Sequence, residues 1–460
     1  MAGNGSDAGR SAWERMDEGE RQAAFGLAAR YVDFLNIAKT EREATEAIIE
    51  AARERGYVEL RRDSTVVAGA RFFAQRKGKL SALLMVGKEP LEKGFNIVAA
   101  HVDAPRLDLK PRPLYESEGL ALLRTHYYGG IKKYQWTALP MSLRGVVIKK
   151  DGSCIRVTVG DGPGDPVLTI SDLLPHLARE QMEKKMSDGV TGEGLNLLVG
   201  NIPLAGATKD PVRTAVLGLL RDRYGIGEDD FCSAELEAVP AFPAVDVGLD
   251  RSMVGGYGQD DRVSAFACLE AILSLEETRR TAIAVFADKE EIGSAGNTGL
   301  RSYFLDNLVA QLFAAAGITD YFEVRAALEA SRALSADVSA AFDPLYENVF
   351  EKMNTSYLGA GVVLTKYTGS RGKYDASDAN PEFVAHVRRI LDDNGVVWQA
   401  GELGKVDEGG GGTVAQYLAR YGMDVLDCGV PLLSMHSPFE VVSKADLFMA
   451  FKAYRSFLLD

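Results

Sequence analysis

Five histidines occur in 460 residues: His101, His126, His176, His386 and His436. His101 follows the apolar run Asn96–Ala100 and opens the segment HVDAP. It therefore falls at the carboxyl end of a strand, where α/β folds place their sites. Asp103, two residues on, is suited to take the second ring proton and fix the tautomer of a metal-ligating imidazole. Gln259-Asp260-Asp261-Arg262 closes a glycine-rich loop and directly precedes an amphipathic helix. One aspartate there would serve as a helix cap. A second beside it is repelled unless Arg262 or a metal compensates. The apolar run Thr281–Ala287 leads into Asp288-Lys289-Glu290-Glu291. Adjacent glutamates point in different directions, so one can bind a metal while the other faces water. Asp337 follows a candidate short strand, and His436 follows the run Gly429–Leu433. Each has a plainer alternative: a structural ring for His101, a cap for the Asp pair, a solvated turn for the Glu pair, ordinary loop residues for Asp337 and His436. His386, in AHVRR, reads as a structural or exposed helix residue.

The set says more than its members. Two histidines and three or four carboxylates, each after an apolar run, meet the needs of a two-metal site. One carboxylate would bridge, and each metal would take one histidine and one further carboxylate. Two divalent cations are neutralised by three carboxylates and a hydroxide. Nitrogen and oxygen donors without thiolate suit zinc, with cobalt or manganese as substitutes. Paired metals of this kind activate water and polarise a carbonyl.

The elements that must carry these residues alternate. Asn96–Ala100, Thr281–Ala287, Gly361–Lys366, Val396–Ala400 and Asp424–Cys428 read as strands. Val263–Leu275, Pro381–Leu391, Val414–Tyr421 and the tail from Lys444 read as helices. Such alternation indicates an α/β layered fold. Near the N-terminus two helices are expected. The second opens on a capping box, Thr40 with Glu43, carries the stripe Ala44, Ala47, Ile48 and Ala51, and stops at Gly56. Residues 1 to about 20 read as a mobile or loosely docked arm. From about Arg106 to Val245 the pattern shifts to short β-like pieces, Leu143–Lys149, Ile155–Val159 and Pro166–Ile170, which suggests an inserted domain.

Composition narrows the function classes. The chain is 46% hydrophobic and 25% charged, ordinary for a globular protein. Lys+Arg is 52 against Asp+Glu 65, a formal net charge of −13. An acidic chain is a poor binder of nucleic acid or anionic membrane. Four isolated cysteines without a CxxC pair read as buried free thiols. The polar N-terminus has no apolar core of a signal peptide, so a cytoplasmic protein is expected. The glycine run 409–412 has no GK[ST] after it, so a phosphate loop is not indicated. Glycines that let a substrate backbone approach fit better.

In this order, HVDAPRLDLKP, YGG at 128–130, DDR, the EEIGS block, the SADV block and LSMHS resemble the metallopeptidase family of aspartyl aminopeptidase and vacuolar aminopeptidase I. The resemblance runs from about His101 to the C-terminal helix. It implies a mixed-sheet α/β two-metal peptidase domain, residues 1–105 and 246–460, with an inserted β-rich oligomerisation domain at 106–245. Position by position, His101 would ligate one metal and Asp103 would orient it. Asp260 would bridge both metals. Glu290 would be the general base, and Glu291, Asp337 and His436 would complete the ligands. His176, in LLPHLAR, looks like the histidine that a neighbouring subunit's inserted domain lends to the site; a histidine on an amphipathic helix is the alternative.

The resemblance implies a metallo-aminopeptidase that uses a metal-bridging hydroxide on peptides with a free N-terminus. It also implies a homo-oligomer, a tetrahedral dodecamer. Two departures fall at the substrate side-chain pocket. Where aspartyl aminopeptidases have DMAHA, this chain has Asp337-Val338-Ser339-Ala340-Ala341. Their Arg-Asn-Asp segment is replaced by the stretch Leu403–Thr413. An aspartyl preference is therefore not carried over, although Lys366 is placed to pair with an acidic side chain. A deacylase or carboxypeptidase of the same fold group, or an inactive scaffold, remain as alternatives.

Overall fold

The structure, a computed structural model, describes residues 11–162, 164–374 and 376–460. It divides into two compact units. The first holds the described residues up to Asp103, Ala244–Met435 and Phe439–Asp460; the second holds Ala104–Pro243 and His436–Pro438. The fold is mixed α/β, as expected from the alternation.

The first unit is built on a nine-stranded sheet. Its order is Val58–Glu59, Arg71–Arg76, Leu80–Met85, Thr281–Ala287, Phe95–His101, Arg332–Ser335, Asp424–Gly429, Val362–Thr365 and Trp398–Ala400. The four strands from Thr281–Ala287 to Asp424–Gly429 are mutually parallel. Thr281–Ala287 and Phe95–His101 are buried along their whole length, as strands covered on both faces must be. One apolar layer sets Val98, Ala100, Ala284 and Phe286 against the helices Gln259–Leu273 and Lys444–Leu459. The other sets Ile97, Ala99, Ile283 and Val285 against Phe304–Ala315 and Tyr321–Glu329. Since parallel strands finish at a common edge, the residues after His101, Ala287 and Ser335 emerge side by side. A five-stranded sheet of Val245–Val247, Met253–Gly256, Glu440–Ser443, Pro431–Leu433 and Ser339–Ala340 completes the unit.

The second unit is a six-stranded sheet, Cys154–Val159, Met141–Ile148, Ala234–Pro240, Arg106–Ser117, Leu120–Tyr128 and Asn196–Gly200, with the helix Pro211–Tyr224. All its ladders are antiparallel.

Several expectations need correction. The arm ascribed to residues 1 to about 20 is in part ordered. Residues 1–10 lie outside the described residues, but Ser11 caps a short helix, Ala12–Arg15, and Asp17 caps Glu18–Ile37. The Ala12 N–H donates to the Gly359 carbonyl at 2.7 Å, and Ala12 and Met16 are buried. Pro166–Ile170 is not a strand: Leu168 bridges Met141 and Thr169 bridges Leu198, one residue to each neighbour, which makes no ladder. Only Cys268 and Cys428 are buried; Cys154 and Cys232 are exposed, one on an edge strand and one on a 3-10 turn. The capping box at Thr40 and Glu43 is present, and the helix runs Glu41–Glu54. Among the described residues no helix is long and apolar enough to cross a membrane.

Candidate metal centre

His101 closes its strand with 1% of its surface exposed. Its Nδ1 lies 3.1 Å from the Asp103 carbonyl oxygen and 3.3 Å from Asp103 Oδ1. Both are acceptors, so Nδ1 carries a proton and Nε2 is the nitrogen left to ligate a metal. Nε2 lies 3.2 Å from Asp260 Oδ1 and 3.8 Å from Asp337 Oδ1. Burial alone would lower the basicity of the ring, but Asp103, Asp260 and Asp337 raise it well above the usual histidine value. Three acceptors aimed at one point require a proton or a cation between them. A tetrahedral zinc with bonds of about 2.0 Å places its ligand atoms about 3.3 Å apart. The donor types suit zinc, and the His101–Asp260 spacing matches such a pair of ligands, while the His101–Asp337 pair is wider.

Asp260 and Asp261 fall within the first turn of Gln259–Leu273 but have non-helical backbone angles, and Gly258 before them supplies no side-chain cap. Asp260 faces His101, and Asp261 Oδ2 accepts the His101 backbone N–H at 3.1 Å. Burial pushes the Asp261 carboxyl well above the ordinary range, with His101 opposing. Arg262, also buried, gives its Nε–H to the Val102 carbonyl at 3.0 Å and lies over the Tyr257 ring.

Glu290 and Glu291 form a short 3-10 turn after Lys289, which takes the left-handed conformation at φ 68°. Asp103 fixes this turn: its Oδ1 accepts the Glu290 N–H at 3.1 Å and its Oδ2 the Glu291 N–H at 3.2 Å. One ligand atom of Glu291 lies within 4.8 Å of one of Asp260, as do those of His101 and Asp337. The Glu290 carboxyl is pushed up to about 8, chiefly by burial and then by the Asp337 charge, with His101 opposing and Asp103 and Asp260 adding. Behind the turn, Thr298 donates to the buried Asp288 at 2.5 Å.

Asp337 leaves the strand Arg332–Ser335 two residues past its end. Beside it, on Asp424–Gly429, the fully buried Asp427 is pushed up to about 7 by burial and by Asp337, while the Ser335 and Thr413 hydroxyls act against the shift. His436 is at φ 64°, and its Nδ1 lies 2.9 Å from the Gly130 carbonyl. A carbonyl only accepts, so Nδ1 carries a proton and Nε2 is the nitrogen suited to a metal.

The remaining sequence candidates lie elsewhere. His176 is exposed on the 3-10 turn Pro175–Leu177 of the second unit. Lys366 Nζ is 2.5 Å from Asp378 Oδ1, with Lys373 on the other carboxylate oxygen at 2.9 Å. His386 Nε2 lies 2.9 Å from both Arg332 Nη1 and Asp460 Oδ2, which pair with each other at 3.1 Å. Sequence reasoning passed over Glu440, a buried acid that receives the backbone N–H groups of Gln259 and Asp260. The signal was an acid in the otherwise apolar stretch before the last helix.

A buried His and carboxylate cluster at the carboxyl edge of parallel strands is the kind of donor set with which a metal-dependent hydrolase holds its ions. The family model described as aminopeptidase I zinc metalloprotease (M18) matches residues 34–458, and the chain belongs to this family. It is a metallo-aminopeptidase. A probable M18 family aminopeptidase 1 of Clostridium acetobutylicum is 50% identical over 98% of both chains. The crystal structure of the M18 aminopeptidase of Thermotoga maritima superposes with a TM-score of 0.94, at 46% identity and 98% coverage of each chain. The S. cerevisiae mApe1 dodecamer shares the fold at a TM-score of 0.76, with 22% identity and coverage of 94% of this chain and 96% of that one.

Proposed function

We propose that the chain removes the N-terminal residue from peptides with a free α-amine, at a centre of two divalent ions, zinc in preference to cobalt or manganese. His101, Asp260, Glu291, Asp337 and His436 would hold the ions, with Asp260 shared. The observation that carries this reading is the convergence of His101 Nε2 on Asp260 and Asp337 while Asp103 holds the Glu290–Glu291 turn.

Bound there, the ions would activate water and stabilise the oxyanion of the tetrahedral intermediate. Glu290 takes the proton of the attacking water as its oxygen adds to the first peptide carbonyl carbon. It then passes that proton to the departing amine nitrogen. Asp103 keeps the His101 ring in its ligating tautomer and Glu290 in place. The glycine run 409–412 gives the substrate backbone room to approach. Lys366 already has Asp378 as its partner, so the reading includes no aspartyl preference.

Residues 106–245 would form the oligomerisation insert between catalytic parts 1–105 and 246–460. His176 would be lent to the site of a neighbouring copy, and the dodecamer of the S. cerevisiae relative supports a homo-oligomer of this kind. The protein would act in the cytoplasm. The test is a panel of amino-acid anilides, run with zinc, cobalt and manganese, on wild type and Glu290→Gln. Turnover of free-amine substrates, lost in the variant with metal retained, supports the reading. Turnover of N-acyl amino acids instead would overturn it in favour of a deacylase.

A further inference from the structure

The helix Gln259–Leu273 begins with a difficulty. Its first N–H groups have no partners within the helix, and Gly258 has no side chain to cap them. The residue at its second position, Asp260, is also the carboxylate that the proposed function shares between two ions. Something outside the helix must hold that backbone.

The holder is Glu440, on the strand Glu440–Ser443 next to Met253–Gly256. It is 1% exposed. A single carboxylate oxygen, Oε2, accepts the Gln259 N–H at 2.6 Å and the Asp260 N–H at 3.2 Å. The Glu440 carbonyl oxygen accepts the Gln259 Nε2–H at 2.6 Å. Gln259 is itself fixed: its Nε2 also donates to the Val254 carbonyl at 3.2 Å, and its Oε1 accepts the Tyr31 hydroxyl at 3.2 Å. Asp260 then reaches His101 Nε2 at 3.2 Å.

From this chain of contacts we infer that Glu440 is a positioning residue for the metal centre: its carboxylate sets where the Asp260 side chain stands, and so governs how tightly the ions are held. A charged acceptor suits the task, since hydrogen bonds to a carboxylate are roughly twice as strong as those between neutral groups. This inference rests on the two-ion reading of the site.

The test uses Glu440→Gln, which keeps one oxygen acceptor and the shape, and Glu440→Ala, which keeps neither. Two measurements are made on the full chain. Amide hydrogen exchange of the metal-free protein reads peptides covering residues 255–264. Zinc titration reads the dissociation constants. For Glu440→Gln the expected result is exchange at Gln259 and Asp260 at least ~10-fold faster, a ~10–100-fold loss of zinc affinity, and unchanged KM for an anilide at saturating zinc. Wild-type exchange at these amides, or wild-type zinc affinity in both variants, overturns the inference. A variant that loses stability equally with and without zinc, at unchanged affinity, also overturns it, because that is the signature of a purely structural residue. Failure of the two-ion reading is visible separately, in the wild-type titration alone. If Glu440→Ala does not fold, Glu440→Gln decides.

Discussion

The Asp103 carboxylate accepts the Glu290 backbone N–H at 3.1 Å while lying 3.3 Å from His101 Nδ1. One side chain thus touches both the residue proposed as metal ligand and the backbone of the residue proposed as base. Asparagine at 103 would keep one acceptor and lose the charge and the second. Asp103→Asn should lower zinc affinity ~10–100-fold and reduce kcat even at saturating zinc. Titration with zinc, followed by anilide kinetics on the saturated enzyme, separates the two effects.

Glu290→Gln removes the proton acceptor and leaves the ligands untouched. The kcat for a free-amine anilide should fall ~10²–10⁴-fold, with zinc content and KM near those of wild type. Loss of zinc in this variant would mean that Glu290 is a ligand rather than the base.

Much of this was legible in the chain. Runs such as Thr281–Ala287 are uniformly apolar because both faces are covered, and each delivers its acid or histidine at the next residues. The capping box at Thr40 is local chemistry and is present as read. What failed was non-local. Ser11 and Asp17 are ordinary caps in a polar stretch, and nothing in the sequence shows that Ala12 docks on the Gly359 carbonyl. Pro166–Ile170 has strand-like residues, yet its neighbours accept only one bridge each. Glu440 went unseen for the same reason: its partners at 259 and 260 are about 180 residues away.

Gly429 lies against the backbone of Asp337. A Cβ there would overlap the Asp337 backbone carbonyl. Gly429→Ala should displace Asp337, cost ~1–3 kcal/mol of stability and weaken zinc binding. Denaturant unfolding and zinc titration check both. Wild-type zinc affinity in a folded variant would show that Asp337 is not a ligand.

Asp446 tests the electrostatics away from the metal. Its two oxygens accept the Gly359 and Gly361 N–H groups at 2.6 and 2.7 Å. Burial still pushes its carboxyl up to about 8, against those two bonds. A carboxyl that holds its proton more tightly folded than unfolded adds stability below its unfolded value, near 4. That contribution is lost as pH rises towards about 8. The site's slope approaches about 1.4 kcal/mol per pH unit within that window. The stability of wild type minus Asp446→Asn should fall from pH 5 to 8, as read by denaturant unfolding. A flat difference would contradict the assignment.

The shared ligand is the centre of the account, and counting ions tests it most directly. Zinc per chain would be measured after dialysis for wild type, Asp337→Ala and Asp260→Ala. The account predicts two ions, one ion and none. A wild type that holds a single ion, or an Asp260→Ala chain that still holds two, would contradict it.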